Sequence, residues 1–233
     1  TAVRFVIEGE GGYTTVNGEK CPMHKGDLIL TPALNWHEHG HEGSGPVIWM
    51  DALDLPMIYA MEASYAIEGP SQPVRPEADA SQNKYRRAGL LPYASLGRAQ
   101  RADYPQIRYP WVDVRQALAA LATVTPKDEA VQLAYVNPET GRPCLPTLGF
   151  SAMQLRAGQD LALRKRSASG VIHVIEGRGE SEIDGVTLQW TEGDTLTIPT
   201  HAQVRHRAMG NDAYLFHVDD APMQRALGIY EDF

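Results

Sequence analysis

The sequence predicts a mainly β protein of two antiparallel barrels joined by a short, partly helical connection, and three observations carry that prediction. The first is an internal repeat. "RFVIEGEGGYTTVNGEKCPMHKGDLILTPALNWHEH", from Arg4, is answered by "IHVIEGRGESEIDGVTLQWTEGDTLTIPTHAQVRH", from Ile172. Val6 aligns with Val174. After one deletion Asn17-Gly18 aligns with Asp184-Gly185, Gly26-Asp27 with Gly193-Asp194, and Pro32 with Pro199. Two copies at this separation are two homologous domains. The second observation is that "DLILTP" and "DTLTIP" are apolar, β-branched runs, each closed by a proline that cannot continue a central ladder. The third is the pair of Asn-Gly and Asp-Gly dipeptides, which supply the positive φ angles of a type I′ hairpin turn.

Taken in order, residues 1–60 read as an N-terminal barrel, 61–132 as a linker or arm, and 133–233 as a C-terminal barrel. The arm begins with "EGPSQPVRPEADASQNKYRRAGLLP", whose Pro, Ser and charge suit a loop or extended segment. Near its end "WVDVRQALAALA" places Val114, Leu118 and Leu121 on one stripe and predicts a helix over 111–122. The strand-like "AVRFVIEG" stands at the very start, and a domain seldom opens inside a core strand. We therefore expect a segment ahead of Thr1.

Hydrophobic residues make up 43% of the 233, enough for a sizeable core. A formal charge of −8 argues against a nucleic-acid surface, whose footprint is a basic patch. No apolar run is long enough for a membrane span. Cys21 and Cys144 lie far apart with no CxxC, which suggests neither a zinc ribbon nor a disulfide framework and fits a reduced, cytoplasmic setting.

The stretch "TPALNWHEHGHEGSG" crowds three of the eight histidines into five positions. On a strand, side chains alternate between faces, so His37, His39 and His41 share one side. Three imidazoles at that period suit a metal site or acid/base chemistry as well as a polar surface. His37 and His39 are about 6.5 to 7 Å apart on an extended chain, too far for comfortable joint chelation. His41 abuts Gly43-Ser44-Gly45 and reads as a solvated turn residue. Arg4 sits on an apolar strand at the parity of Ala2, and a cation on an inner face needs a partner. That partner is either a ligand carboxylate, which suits the guanidinium fork, or an internal acid such as Asp51 or Glu8. Asp51, in "IWMDALD", reads equally as a structural carboxylate or as one that orients a histidine or accepts from a ligand hydroxyl. Trp36 and Trp49 read as core.

"GDLILTPALNWH" resembles the second motif of the cupins, with Pro32 in place, His37 at the metal-ligand position and Leu34 where a glycine is usual. Counting back from Gly9 along the first cupin motif, its glutamate position falls at Ala2 and its HxH pair ahead of Thr1. More narrowly, "AVRFVIEGEGGYT", "GDLILTPALNWHEHGHEG", "VIWMDALDLPM", "YVNPETGRPCLPTLGFSAMQL" and "PMQRALGIYED" resemble gentisate 1,2-dioxygenase and its salicylate and 1-hydroxy-2-naphthoate relatives.

The resemblance implies two cupin barrels of double-stranded β-helix, or jelly-roll, form and one non-haem Fe(II) held by three histidines. His37 would be one ligand, with the other two just upstream of Thr1. It places the substrate carboxylate on Arg4 and a substrate or catalytic contact on His39; Asp51, on its own reading above, is the further catalytic and substrate-binding candidate. The resemblance also implies O2-dependent ring cleavage of a small aromatic hydroxy acid, gentisate to maleylpyruvate, in a homo-oligomer that is a tetramer in the family. Salicylate or 1-hydroxy-2-naphthoate is the alternative substrate. A non-catalytic double-barrel binding protein is the alternative of another class. In the second copy the ligand positions become Arg164, Arg166 and Val204, while His206 aligns with His39. Two cations and an isopropyl group cannot hold a divalent metal, so the second barrel is predicted to be metal-free.

Overall fold

A computed structural model describes all residues, Thr1–Phe233, and divides them into two compact units. The first comprises Thr1–Asp113 with Val136–Arg142, the second Val114–Tyr135 with Pro143–Phe233.

The first unit opens with β1 (Ala2–Glu8), β2 (Gly12–Val16), β3 (Glu19–Pro22), β4 (Leu28–Thr31), β5 (His37–His41) and β6 (Ile48–Leu53). The helix α1 (Leu55–Ala60), the helix α2 (Ala80–Lys84), a single 3₁₀ turn at Tyr93–Ser95 and β7 (Arg108–Tyr109) follow. The strands form two sheets, ordered β6-β1-β4-β7 and β3-β2-β5. Val3, Phe5 and Val6 of β1 are completely buried, as are Leu28, Ile29 and Leu30 of β4. Each fully buried side chain of this size contributes roughly 1.5 to 3 kcal/mol of transfer free energy. Of these, Val6 and Ile29 join Val16, Cys21, Met23 and Ile107 in one core cluster.

The helix α3 (Trp111–Ala122) coincides with the predicted one, and Leu118 at the centre of its apolar stripe is fully buried. In the second unit β8 (Val131–Ala134), β9 (Gly149–Leu155) and β10 (Asp160–Ala162) precede the repeat. The repeat itself is β11 (Gly170–Glu176), β12 (Arg178–Ile183), β13 (Val186–Thr191), β14 (Thr195–Ile198), β15 (Val204–Ala208) and β16 (Ala213–Asp219), closed by α4 (Ala221–Leu227). Its sheets run β14-β11-β16-β9-β8 and β10-β15-β12-β13.

The six repeat strands pair alike in both units: β6-β1-β4 matches β16-β11-β14, and β3-β2-β5 matches β13-β12-β15. Even the irregularities recur. β1 slips against β6 between Val6 and Glu8, and β11 slips against β16 between Val174 and Glu176. The hairpin dipeptides adopt the expected left-handed backbone, with φ of 46° and 83° at Asn17-Gly18 and 48° and 82° at Asp184-Gly185. Leu34, at the cupin glycine position, has φ of 62°, and His201 at the same place in the second copy has 58°. The turn thus keeps the left-handed geometry although the glycine is gone.

The arm is irregular but tied to the first barrel. Glu19 accepts hydrogen bonds from the backbone N–H of Ser81 at 2.9 Å and from its hydroxyl at 2.6 Å. Arg108 donates from Nε to Asp27 at 2.8 Å, bonds Asp79 through Nη1, and lies 2.9 Å from His24 Nδ1 through Nη2. Buried charges are tolerated only when paired in this way. Cys21 and Cys144 are free and buried, and burial pushes the thiol pKa of Cys144 up to about 12. No helix is long and apolar enough to cross a membrane.

Candidate metal and substrate site in the first barrel

β5 presents its histidines as their shared parity predicts. His37, His39 and His41 are the exposed positions, and Glu38 and Gly40 between them are less so. His41 is the last residue of the strand, paired with Gly12, rather than part of the turn beyond. The His37 and His39 rings are 5.8 Å apart, centre to centre. His37 Nδ1 has a long contact of 3.5 Å with the Asn35 carbonyl. A backbone carbonyl behind one nitrogen is the usual second contact of a metal-binding imidazole, whose other nitrogen serves as ligand.

His39 is held differently. β2 and β5 pair Thr14 directly opposite His39, and the Thr14 hydroxyl lies 3.0 Å from His39 Nδ1. Thr14 is fully buried, so the pair fixes the ring from the inside. Trp49 of β6 lies beside it, with ring centres 5.6 Å apart. Although the residue as a whole is exposed, desolvation of its ring lowers the His39 pKa to about 4, and Arg4 and His37 nearby act in the same direction. The imidazole is therefore neutral at physiological pH.

Arg4 is buried, as its position on β1 requires, and stands opposite Asp51 of β6 and Ile29 of β4. Its Nη1 donates to the Thr31 hydroxyl. The nearest Asp51 oxygen is 3.7 Å from Nε, beyond hydrogen-bond range, and Nε is buried with no hydrogen-bond partner. Desolvation lowers the Arg4 pKa, and Asp51 opposes that shift. Asp51 itself is partly exposed. The internal acid anticipated as a partner is present, but it only half satisfies the guanidinium.

These residues come together on one barrel: Arg4 and Asp51 on the first sheet, His37 and His39 on the second. Sequence reasoning missed Thr14, Thr31 and Trp49. A hydroxyl residue at both Thr14 and Ser181 of the repeat was the available signal for the first. Trp49 is not simply core, since it packs on His39. No three His, Cys, Asp or Glu side chains of the chain converge closely enough to hold a metal ion. On this face the barrel offers at most His37 and, held by Thr14 beside it, His39 as imidazole donors.

Fold and site together define a two-barrel cupin protein, and residues 1–53 match the family described as "Cupin domain". A gentisate 1,2-dioxygenase from Ralstonia sp is 48% identical over 234 residues, covering 99% of this chain and 65% of the relative. A 5-aminosalicylate 1,2-dioxygenase from Comamonas sp is 38% identical, covering 99% and 62%. The crystal structure of the salicylate 1,2-dioxygenase from Pseudaminobacter salicylatoxidans superposes with a TM-score of 0.91 at 31% identity, covering all of this chain and 68% of that one. That enzyme has also been solved with gentisate. The chain belongs to the gentisate 1,2-dioxygenase family. It spans less than two thirds of the length of the Ralstonia and Comamonas relatives.

Proposed function

We propose that the protein is an Fe(II)-dependent, extradiol-type ring-cleaving dioxygenase that converts gentisate and O2 to maleylpyruvate. The observation that carries this reading is the under-paired Arg4 guanidinium, buried on the same barrel as His37 and His39. A desolvated cation with unused donors suits an anionic ligand, and its planar fork suits a carboxylate. Arg4 binds the substrate carboxylate. Asp51, 3.7 Å from Arg4 Nε, orients the guanidinium and accepts a hydrogen bond from a ring hydroxyl. His39, anchored on Thr14 through Nδ1, offers Nε2 to the substrate, and Trp49 walls the ring.

His37 is the metal ligand this chain provides. Two further histidines, which the cupin register puts ahead of Thr1, complete the set. A non-haem Fe(II) so held supplies the Lewis acidity and redox chemistry that O2 requires. Around it the chain's own residues fix the carboxylate, place the hydroxyl and exclude water from one face of the ring. The second barrel, with Arg164, Arg166 and Val204 at the matching positions, holds no iron. The arm exposes Tyr65, Ile67, Leu90 and Tyr93, apolar surface consistent with a homotetramer. A cytoplasmic location accords with two unpaired cysteines.

The test is ring-cleavage product formation with gentisate, salicylate and 1-hydroxy-2-naphthoate on Fe(II)-loaded protein. The highest kcat/KM is expected with gentisate. Binding of all three acids without oxygen consumption would instead identify a non-catalytic binding protein.

A further inference from the structure

The second barrel holds a partly open cavity of about 210 Å³ that the proposed reaction does not use. Its walls are mixed, with Met153, Ile172, Ile198, Val204 and Leu215 forming the apolar part. Arg164, Arg166, His206 and His217 give it cationic and donor chemistry, and Gln132, Tyr230 and Asp232 complete its polar lining.

His206 is completely buried, and its Nε2 has no hydrogen-bond partner. Its tautomer follows from its neighbours. Trp190 Nε1 donates to Ser181 Oγ at 2.8 Å, and Ser181 Oγ lies 2.7 Å from His206 Nδ1. Indole can only donate, so Ser181 accepts there and keeps its own proton to give away. Ser181 is fully buried, and Nδ1 is the acceptor within its reach. Nε2 therefore carries the hydrogen, and the unmet group lining the cavity is a donor that calls for an acceptor atom.

The cations are only partly satisfied. Arg166 donates from Nη1 to Asp219 at 2.8 Å and from Nη2 to His217 Nε2 at 2.9 Å, leaving three of a guanidinium's five N–H donors. Burial, reinforced by Arg166, pushes the His217 pKa down to about 3, so it accepts that bond as a neutral ring. Arg164 is largely exposed at the rim, with Asp232 3.8 Å away. Each guanidinium thus has one carboxylate beside it, Asp219 for Arg166 and the cavity-lining Asp232 for Arg164, and what the cavity offers is the unused donors of Arg166 and the loosely held Arg164.

The repeat supplies an independent argument. Ser181 pairs opposite His206 on β12 and β15 just as Thr14 pairs opposite His39 on β2 and β5. The hydroxyl–imidazole pair of the first barrel is thus kept in the second, at 2.7 Å in place of 3.0 Å. What has changed is the cation. Covalently attached guanidiniums stand where the register puts the metal-binding HxH pair.

We propose that this cavity binds a small organic monocarboxylate of single-ring size, with its carboxylate on Arg166 and Arg164 and an acceptor atom on His206 Nε2. Size agrees with that ligand class: a dry apolar cavity of about 150 Å³ accommodates benzene. The apolar part of the wall takes the ring and the arginines at its edge take the charge. This assignment does not depend on the ring-cleavage reading of the first barrel.

The experiment uses crystals of the full-length protein soaked in 4-bromobenzoate, with the bromine located by anomalous scattering, together with calorimetric titration of benzoate in solution. The expected result is a bromine peak in the second-barrel cavity and a benzoate-binding event that Arg166→Gln weakens about tenfold or more, the scale of a lost charge-assisted hydrogen bond. Ala202→Phe, which fills the cavity, should abolish that event. Arg164→Gln alters a rim side chain that the fold does not need and should weaken binding severalfold. Cooperative unfolding of each variant confirms that it is folded. Bromine confined to the first barrel, or benzoate binding unchanged in the folded Ala202→Phe and Arg164→Gln variants, would overturn the assignment.

Discussion

Replacing Arg4 separates binding from stability, because the structure gives the guanidinium little to do in the fold. Within the chain it donates one hydrogen bond, to the Thr31 hydroxyl, and sits 3.7 Å from a partly exposed Asp51. Loss of one such bond costs about 1 kcal/mol, and Asp51 can be rehydrated once its neighbour is gone. Arg4→Gln should therefore lower unfolding free energy by no more than about 1 kcal/mol. If Arg4 holds the substrate carboxylate in a desolvated pair, its removal costs about 2 to 5 kcal/mol of transition-state binding, or roughly 30-fold to several thousand-fold in kcat/KM. Arg4→Lys keeps the charge but loses the fork, so its main effect should be a raised KM. The assay is steady-state oxygen uptake against gentisate concentration, paired with urea unfolding of the same preparations. Unchanged kinetics in both variants, or a kinetic loss matched by a stability loss of several kcal/mol, would show that Arg4 is structural and refute the reasoning.

Other consequences follow from the second barrel and from one turn. Metal analysis of fully active protein should give at most about one iron per chain; two tightly bound irons, one of them lost in a His206 variant, would contradict the register. His206 and His217 are held neutral by burial at pKa values of about 4 and about 3, whereas the unfolded chain takes up a proton near pH 6.5. The unfolded state binds more protons in that window, so their contribution is intact above about pH 6.5 and is lost as pH falls toward 4. Urea unfolding free energy should thus drop by a few kcal/mol between about pH 7 and 4.5. A flat profile there would mean that the two rings are hydrated. Leu34 is 88% exposed at a φ of 62°, so Leu34→Gly should stabilise the protein by about 0.5 to 1 kcal/mol by relieving left-handed strain. A lower thermal midpoint would show that the leucine makes contacts worth more than the strain.

What could be read from the sequence was whatever is local or repeated. Asn17-Gly18 and Asp184-Gly185 announce their turns because few other residues tolerate two successive positive φ angles. The apolar stripe of Val114, Leu118 and Leu121 announces α3 because one face of one helix is enough to define it. The common orientation of His37, His39 and His41 follows from strand periodicity alone. What escaped depends on which strand lies beside which. Thr14 meets His39 only through the β2–β5 register, and Trp49 reaches His39 from β6 in the other sheet. The arm's composition suggested loop, and it did not announce the short helix α2 at Ala80–Lys84. Its anchoring through Ser81 to Glu19 and through Arg108 to Asp27 and His24 joins residues far apart in the chain. The repeat did allow the cations at Arg164 and Arg166 to be located, but not the cavity they line, because volume is a property of packed walls and not of spacing.

The central claim, that His37 anchors the iron at which gentisate is cleaved, is tested most directly by measuring iron content and gentisate-dependent oxygen uptake together in protein extended upstream of Thr1, with and without His37→Ala. One iron and one O2 consumed per gentisate in the parent, with both iron retention and turnover lost in the folded variant, is the predicted result. A His37→Ala protein that keeps its iron and its turnover would contradict it.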